Sequence, residues 1–188
     1  ALGTDGKITG EDAARLPVPE RYQRFLRDLG LGGEEVFPPR LVPYPSHRER
    51  AQALLRELGL DPEAPLLGIH PGNSFRSRKK ARKWFRKGDL RSWPEVSWAR
   101  LIAAVHRLRP DVRVVLFGHG RDRAVNRRVA RAALRLAPDI RLADAAGRTD
   151  LPLAASLLER FSPFLSTDTG PLHMAAALGV PSIGLYGP

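Results

Sequence analysis

The sequence predicts an α/β fold: a doubly wound parallel sheet with helices on both faces. Three observations carry that expectation. Short apolar runs alternate with segments of helical periodicity from about residue 46 onward. Small and polar residues gather directly after each apolar run, where parallel sheets of this class bind ligands. Finally, Asp168-Thr169-Gly170-Pro171-Leu172-His173-Met174-Ala175-Ala176-Ala177-Leu178-Gly179-Val180-Pro181 reads as a helix with its start at such a position. Together they make the expected sheet Rossmann-like.

Residues 1–45 carry little core-forming pattern. Pro17, Pro19, Pro38, Pro39, Pro43 and Pro45 punctuate one short helical stretch around Glu20 to Leu29, and the segment is expected to be a linker and the tail of another domain. The body then spans 46–188. Ser46 and Glu49 fit a capping box, Ala51, Leu54, Leu55 and Leu58 form an apolar stripe, and Gly59 ends the helix. Leu66-Leu67-Gly68-Ile69-His70 is a strand, and a helix follows over Glu95 to Arg109 with Trp98, Leu101, Ile102, Val105 and Leu108 on one face. Val112 to Phe117 is the clearest strand. Next come a helix over Asp122 to Leu136, a weak strand at Ile140 to Leu142, a helix over Leu151 to Glu159 and a strand at Ser162 to Ser166. The helix at Pro171 is followed by a last strand, Ser182 to Tyr186.

Composition limits the function classes. With 188 residues the chain can bury one good core. No apolar run approaches the roughly 18–20 residues of a membrane helix, and the start shows no signal-peptide pattern, so the expected location is cytoplasmic. The absence of cysteine excludes disulfides and thiolate chemistry, and no two or three of the five histidines have metal-ligand spacing, so no metal and no cofactor are expected. Thirty-one Lys and Arg against twenty Asp and Glu give a net charge of +11, which favours an anionic partner without choosing among nucleotides, nucleic acid and anionic lipids.

The loops hold the candidate site. His70-Pro71-Gly72-Asn73-Ser74, Gly118-His119-Gly120-Arg121-Asp122, Ala146-Gly147-Arg148-Thr149, Asp168-Thr169-Gly170 and Tyr186-Gly187-Pro188 each follow a strand and converge on one rim. None fits the dinucleotide G-x-G-x-x-G or the P-loop pattern. At Thr169 and Gly170 the helix presents amides without intrahelical partners and the positive end of its dipole, a natural seat for a diphosphate. Asp168 and His173 flank it. Of the other histidines, His106 is expected at the surface, His119 in a loop and His47 beside a helix start, while Trp93 and Trp98 are expected in the core.

Six ordered pieces, Ile69-His70-Pro71-Gly72, Arg91-Ser92-Trp93-Pro94, Phe117-Gly118 with Asp122, Ala146-Gly147-Arg148-Thr149-Asp150-Leu151, Asp168 to Leu178, and Tyr186-Gly187-Pro188, resemble the ADP-heptose:lipopolysaccharide heptosyltransferase family of two-domain GT-B glycosyltransferases. The match runs from about Leu41 to Pro188 and is to the C-terminal, nucleotide-sugar-binding half. The resemblance implies that Asp168, Thr169 and Gly170 meet the donor's sugar and diphosphate, with His173 a turn further on. By the same match Asn73 and Ser74 touch the diphosphate, Asp122 takes the ribose hydroxyls and Thr149 lies beside the nucleoside. Arg91 stands where the family usually has lysine, keeping the charge but changing the donor geometry. Arg91 and Asp168 are the expected catalytic residues, Arg91 stabilising the leaving diphosphate and Asp168 orienting the sugar.

The chain departs from the family twice. Phe75 to Leu90 replaces a short turn with a strongly basic insertion containing Trp84 and Phe85. It reads as a solvated loop first, then as a clamp for an anionic acceptor or membrane surface, and last as a nucleic-acid contact. The resemblance also implies an N-terminal domain bearing the acceptor site and general base, and a segment after Gly187-Pro188. Both lie outside this sequence, which is therefore expected to be a fragment or one partner of an assembly. The implied reaction is inverting transfer of a sugar, expected to be heptose, from an ADP-sugar donor to an anionic glycolipid acceptor such as the lipopolysaccharide core, with peripheral contact at the inner membrane. Two other readings stay open: a basic binding module for nucleic acid or anionic lipid, and another GT-B-shaped enzyme such as a nucleotide-sugar epimerase.

Overall fold

The computed structural model describes residues 18–31, 39–72 and 92–186. The chain divides into two compact units, Ala1–Arg40 and Leu41–Pro188. In the first, helix α1 (Val18–Asp28) ends at Gly30, whose φ of +71° lets the Leu31 N–H reach back to the Leu26 carbonyl at 2.9 Å.

The second unit carries helix α2 (Pro45–Glu57), strand β1 (Leu66–His70), helix α3 (Glu95–Leu108), strand β2 (Arg113–Leu116), a one-turn 3₁₀ segment (Gly120–Asp122) and helix α4 (Arg123–Leu136). Strand β3 (Leu142–Asp144), helix α5 (Leu151–Leu158), strand β4 (Phe164–Thr167), helix α6 (Gly170–Ala177) and strand β5 (Ser182–Leu185) complete it. The strands form one parallel sheet in the order β3-β2-β1-β4-β5, the doubly wound α/β fold expected. The chain leaves β1 toward β2 and β3, then returns to the opposite side of β1 with β4. The order thus reverses between β1 and β4, and the crevice beyond their C-terminal ends is the ligand-binding position for such a sheet.

Period-two alternation assigns each strand residue to one of two cores. Leu66, Val115, Ala143 and Phe164 face α2, α5 and α6, with Phe117 and Phe161 completing that layer. Leu67, Ile69, Val114, Leu116 and Leu165 face α3 and α4, where Trp98 is fully buried. All five residues of β1 are buried, as befits the central strand of a sheet covered on both faces.

Local details differ from the sequence expectation. Ser46 does not cap α2: Pro45, pre-set at a helical φ, takes a first-turn position, so the N-cap is Tyr44 and Ser46 already lies inside the helix. The weak strand is displaced to Leu142–Asp144, because Leu142, Ala143 and Asp144 are the residues in register with Val114, Val115 and Leu116, while Ile140 is buried as a loop residue. Helix α4 follows directly on a 3₁₀ turn, with Asp122 as its N-cap, within a residue of the expected start. His106, expected at the surface, is largely covered and pairs with Asp139 at 3.2 Å.

Candidate functional site

The rim above β1 and β4 is assembled from three loops. The first follows β1, where Pro71 and Gly72 are buried. In the second, after β2, Gly118 adopts φ +145° and His119 caps the 3₁₀ turn. Asp122 turns back inward, and its Oδ2 accepts the His119 backbone N–H at 2.8 Å. The third loop joins β4 to α6. Thr169 is the N-cap of α6, extended at φ −149°, ψ 162°, and Pro171 is the second helical residue rather than the first.

Five side chains join these loops. His70 ends β1 and is buried. Its Nε2 lies 3.4 Å from Asp122 Oδ2, and its Nδ1 lies 3.1 Å from Thr169 Oγ1 and 3.3 Å from Ser166 Oγ. The Ser166 and Thr169 hydroxyls are 2.8 Å apart. Thr167 donates its hydroxyl to the Gly72 carbonyl at 3.3 Å, tying β4 to the first loop. Two glycines make room for the cluster. A Cβ on Gly72 would collide with the Asp122 carboxylate, and one on Gly118 would fall 2.8 Å from Asp122 Oδ2 and 3.1 Å from His70 Cδ2.

Burial alone would raise the pKa of Asp122, but it is outweighed. The hydrogen bond and charge interaction with His70, the His119 N–H and the nearby Arg121 hold the carboxyl below its ordinary value.

Because Thr169 Oγ1 is engaged with His70 and Ser166, it makes no capping bond to its own helix. Among the described residues the Thr169 and Gly170 amides donate to no backbone carbonyl. Gly170 is exposed, and among the described residues nothing lies within 4 Å of where its Cβ would be. Among those residues the mouth of α6 is therefore open. Asp168 and His173 stand at its edge, Oδ1 to Nε2 3.3 Å, with side-chain exposures of 62% and 70%.

Thr149 is half-buried just before α5 on the same rim, next to Asp150, whose Oδ1 caps α5 by accepting the Leu153 N–H at 2.9 Å. The loops after β2 and β3 meet backbone to backbone. Gly147 N–H donates to the Gly118 carbonyl at 2.9 Å, and a Cβ on Gly147 would lie 2.6 Å from Gly120 Cα. Arg123 holds the turn by donating from Nε to the Ala146 carbonyl at 2.9 Å.

Of the residues singled out from sequence, Asp122, Thr149, Asp168, Thr169, Gly170 and His173 therefore fall on the rim. Asp122 faces inward and the others stand at or near its open side. Asn73, Ser74, Arg91 and the basic insertion 75–90 lie outside the described residues. The sequence places His70 in the first rim loop and in the Ile69-His70-Pro71-Gly72 piece but assigns its side chain no role; its partners in the cluster come from the distant β2 and β4 loops. Among the described residues no group of three or more His, Asp or Glu side chains could hold a metal, and no helix is long and apolar enough to cross a membrane.

The family model for glycosyltransferase family 9 (heptosyltransferase) matches residues 47–188. Lipopolysaccharide heptosyltransferase 2 of Salmonella typhimurium is 30% identical over the whole of this chain, which covers 50% of that protein. The crystal structure of a family 9 glycosyl transferase from Veillonella parvula superposes with a TM-score of 0.76 at 22% identity, over 96% of this chain and 46% of that one. The structure of E. coli ADP-heptose LPS heptosyltransferase II gives 0.63 at 25% identity, over 83% and 42%. The chain spans about half the length of the curated relatives it matches.

Proposed function

This chain belongs to glycosyltransferase family 9, and from that premise we propose that it forms the donor site of a heptosyltransferase. It binds an ADP-sugar, heptose by analogy with the E. coli relative named for ADP-heptose. The observation that carries the reading is the uncapped mouth of α6 at the point where the strand order reverses. Amides of Thr169 and Gly170 take the diphosphate with His173 at hand for a phosphate oxygen, Asp168 meets the sugar, and Thr149 lies toward the nucleoside. Asn73, Ser74 and Arg91 complete the anion site. Asp122, expected at the ribose hydroxyls, keeps its inward bonds to His70 and the His119 N–H in this reading and supports the site from behind.

The chemistry follows from where charge develops. As the anomeric bond breaks, negative charge builds on the diphosphate, so fixed amides and the Arg91 guanidinium stabilise the transition state more than the ground state. Asp168 orients sugar hydroxyls. The acceptor, a lipopolysaccharide-core or similar anionic glycolipid, attacks from the opposite face with inversion. Its base belongs to the half of such an enzyme that this chain does not span. The protein works in the cytoplasm, with peripheral contact at the inner membrane face.

Calorimetry with ADP, UDP and GDP tests the reading. ADP should bind with the highest affinity, and Arg91→Ala should weaken it by about tenfold, the loss of one charge-assisted contact. Failure of all three nucleotides to bind at millimolar concentration contradicts the donor site. A nucleic-acid module would instead bind oligonucleotides with a steep salt dependence.

A further inference from the structure

Resting on the donor-site reading, we propose that His70 is a positioning residue for the diphosphate: binding places a proton on His70 and turns the Thr169 hydroxyl from facing inward to donating outward. The juxtaposition behind this is the chain Asp122, His70, Thr169, with Ser166 beside it.

An ionised carboxylate can only accept, so Asp122 fixes a proton on His70 Nε2. The neutral ring then leaves Nδ1 as an acceptor for the two hydroxyls within reach. To satisfy Nδ1 and the 2.8 Å contact between the hydroxyls, Ser166 or Thr169 donates to Nδ1 and the other donates to its neighbour or also to Nδ1. In each arrangement the Thr169 proton points inward. His70, Asp122 and Ser166 are buried, and Thr169 alone of the four is only half-buried, at the mouth of α6. It therefore offers an incoming phosphate oxygen only lone pairs, which repel.

A proton on Nδ1 reverses this. The imidazolium donates to Thr169 Oγ1, the hydroxyl proton swings outward, and Thr169 becomes a donor to the phosphate beside the Gly170 amide. The added positive charge lies against Asp122 at 3.4 Å, so it is paired on one side and drawn by the diphosphate on the other. The proton comes from solvent. Of the other ionisable groups, Arg121 from the β2 loop acts on Asp122, and Asp168 and His173 stand at the mouth, paired with each other. The Phe117 ring, edge-on at 6.4 Å, is neutral.

The test is calorimetry of the 188-residue chain with ADP-glucose, whose doubly esterified diphosphate has no proton to exchange near neutrality. Measurements in buffers of different ionisation enthalpy count protons taken up. The unaltered chain should take up a proton, up to one per ligand bound, and its Kd should weaken with rising pH by no more than about tenfold per unit, the limit for a single proton. His70→Asn should bind more weakly, with no uptake and a flat pH profile. Thr169→Val should do the same, and it decides the matter if circular dichroism shows His70→Asn unfolded. His173→Asn should keep the uptake. Binding without uptake by the unaltered chain, or uptake that survives His70→Asn and disappears in His173→Asn, overturns the inference. No binding of ADP-glucose by the unaltered chain overturns the donor-site reading beneath it.

Discussion

Two aspartate–histidine pairs flank the same helix mouth at nearly the same separation, Asp122 and His70 at 3.4 Å and Asp168 and His173 at 3.3 Å. Their surroundings are opposite. The side chains of the first pair are 10% and 6% exposed, those of the second 62% and 70%. In the buried pair both His70 ring nitrogens and Asp122 Oδ2 are committed to protein partners, and removing one member strands the others away from water. The exposed pair is solvated with or without its partner, so its members are free to exchange each other for a ligand at little cost. Equal distances thus hold one pair as framework and leave the other as contact surface.

The comparison breaks most visibly at Asp122. Asp122→Ala leaves His70 Nε2 without an acceptor in a buried site and frees the part-buried His119 N–H, and should cost about 2–4 kcal/mol of stability in urea denaturation. Gly118→Ala attacks the same pair from the backbone, forcing a side chain into a φ of +145° and against the carboxylate. It should cost about 1–3 kcal/mol by the same measurement.

Acid titration sharpens the contrast. The Asp122 carboxyl is held below its ordinary value, so its pairing stabilises the fold fully above the unfolded value of about 4 and is lost as pH falls through the lower folded one. The stability gap between the unaltered chain and Asp122→Asn should therefore narrow as pH drops below about 4. A gap that stays constant would show that the charge of Asp122 does not contribute.

The smallest effect on stability belongs to the exposed pair. Asp168→Asn should change unfolding by no more than about 0–1 kcal/mol, while nucleotide-sugar binding weakens by about tenfold. Loss of stability with unchanged binding would reverse the roles assigned to the two pairs.

What could be read in the sequence follows the same division. Asp168, Thr169, Gly170 and Pro171 announce a helix start by local chemistry alone, and the Gly- and Pro-bearing loops after each strand mark one rim without knowledge of long-range contacts. The role of the His70 side chain within its rim loop could not be recognised this way, because its partners lie 52, 96 and 99 residues away and only the strand order brings them together. The strand at Leu142–Asp144 was placed two residues early for a related reason: three residues carry too little pattern to fix a register that pairing with β2 decides. At α2, Ser46 and Glu49 fit a capping box, but the fixed φ of Pro45 starts the helix ahead of them.

The most direct measurement is an amide-proton NMR titration of the chain with ADP-glucose. If the mouth of α6 holds the diphosphate, the Thr169 and Gly170 amide protons should show the largest saturable downfield shifts, as expected for N–H groups that gain a charged acceptor. Saturable binding with those two amides unmoved, or shifts centred on the exposed face of another helix, would contradict the account.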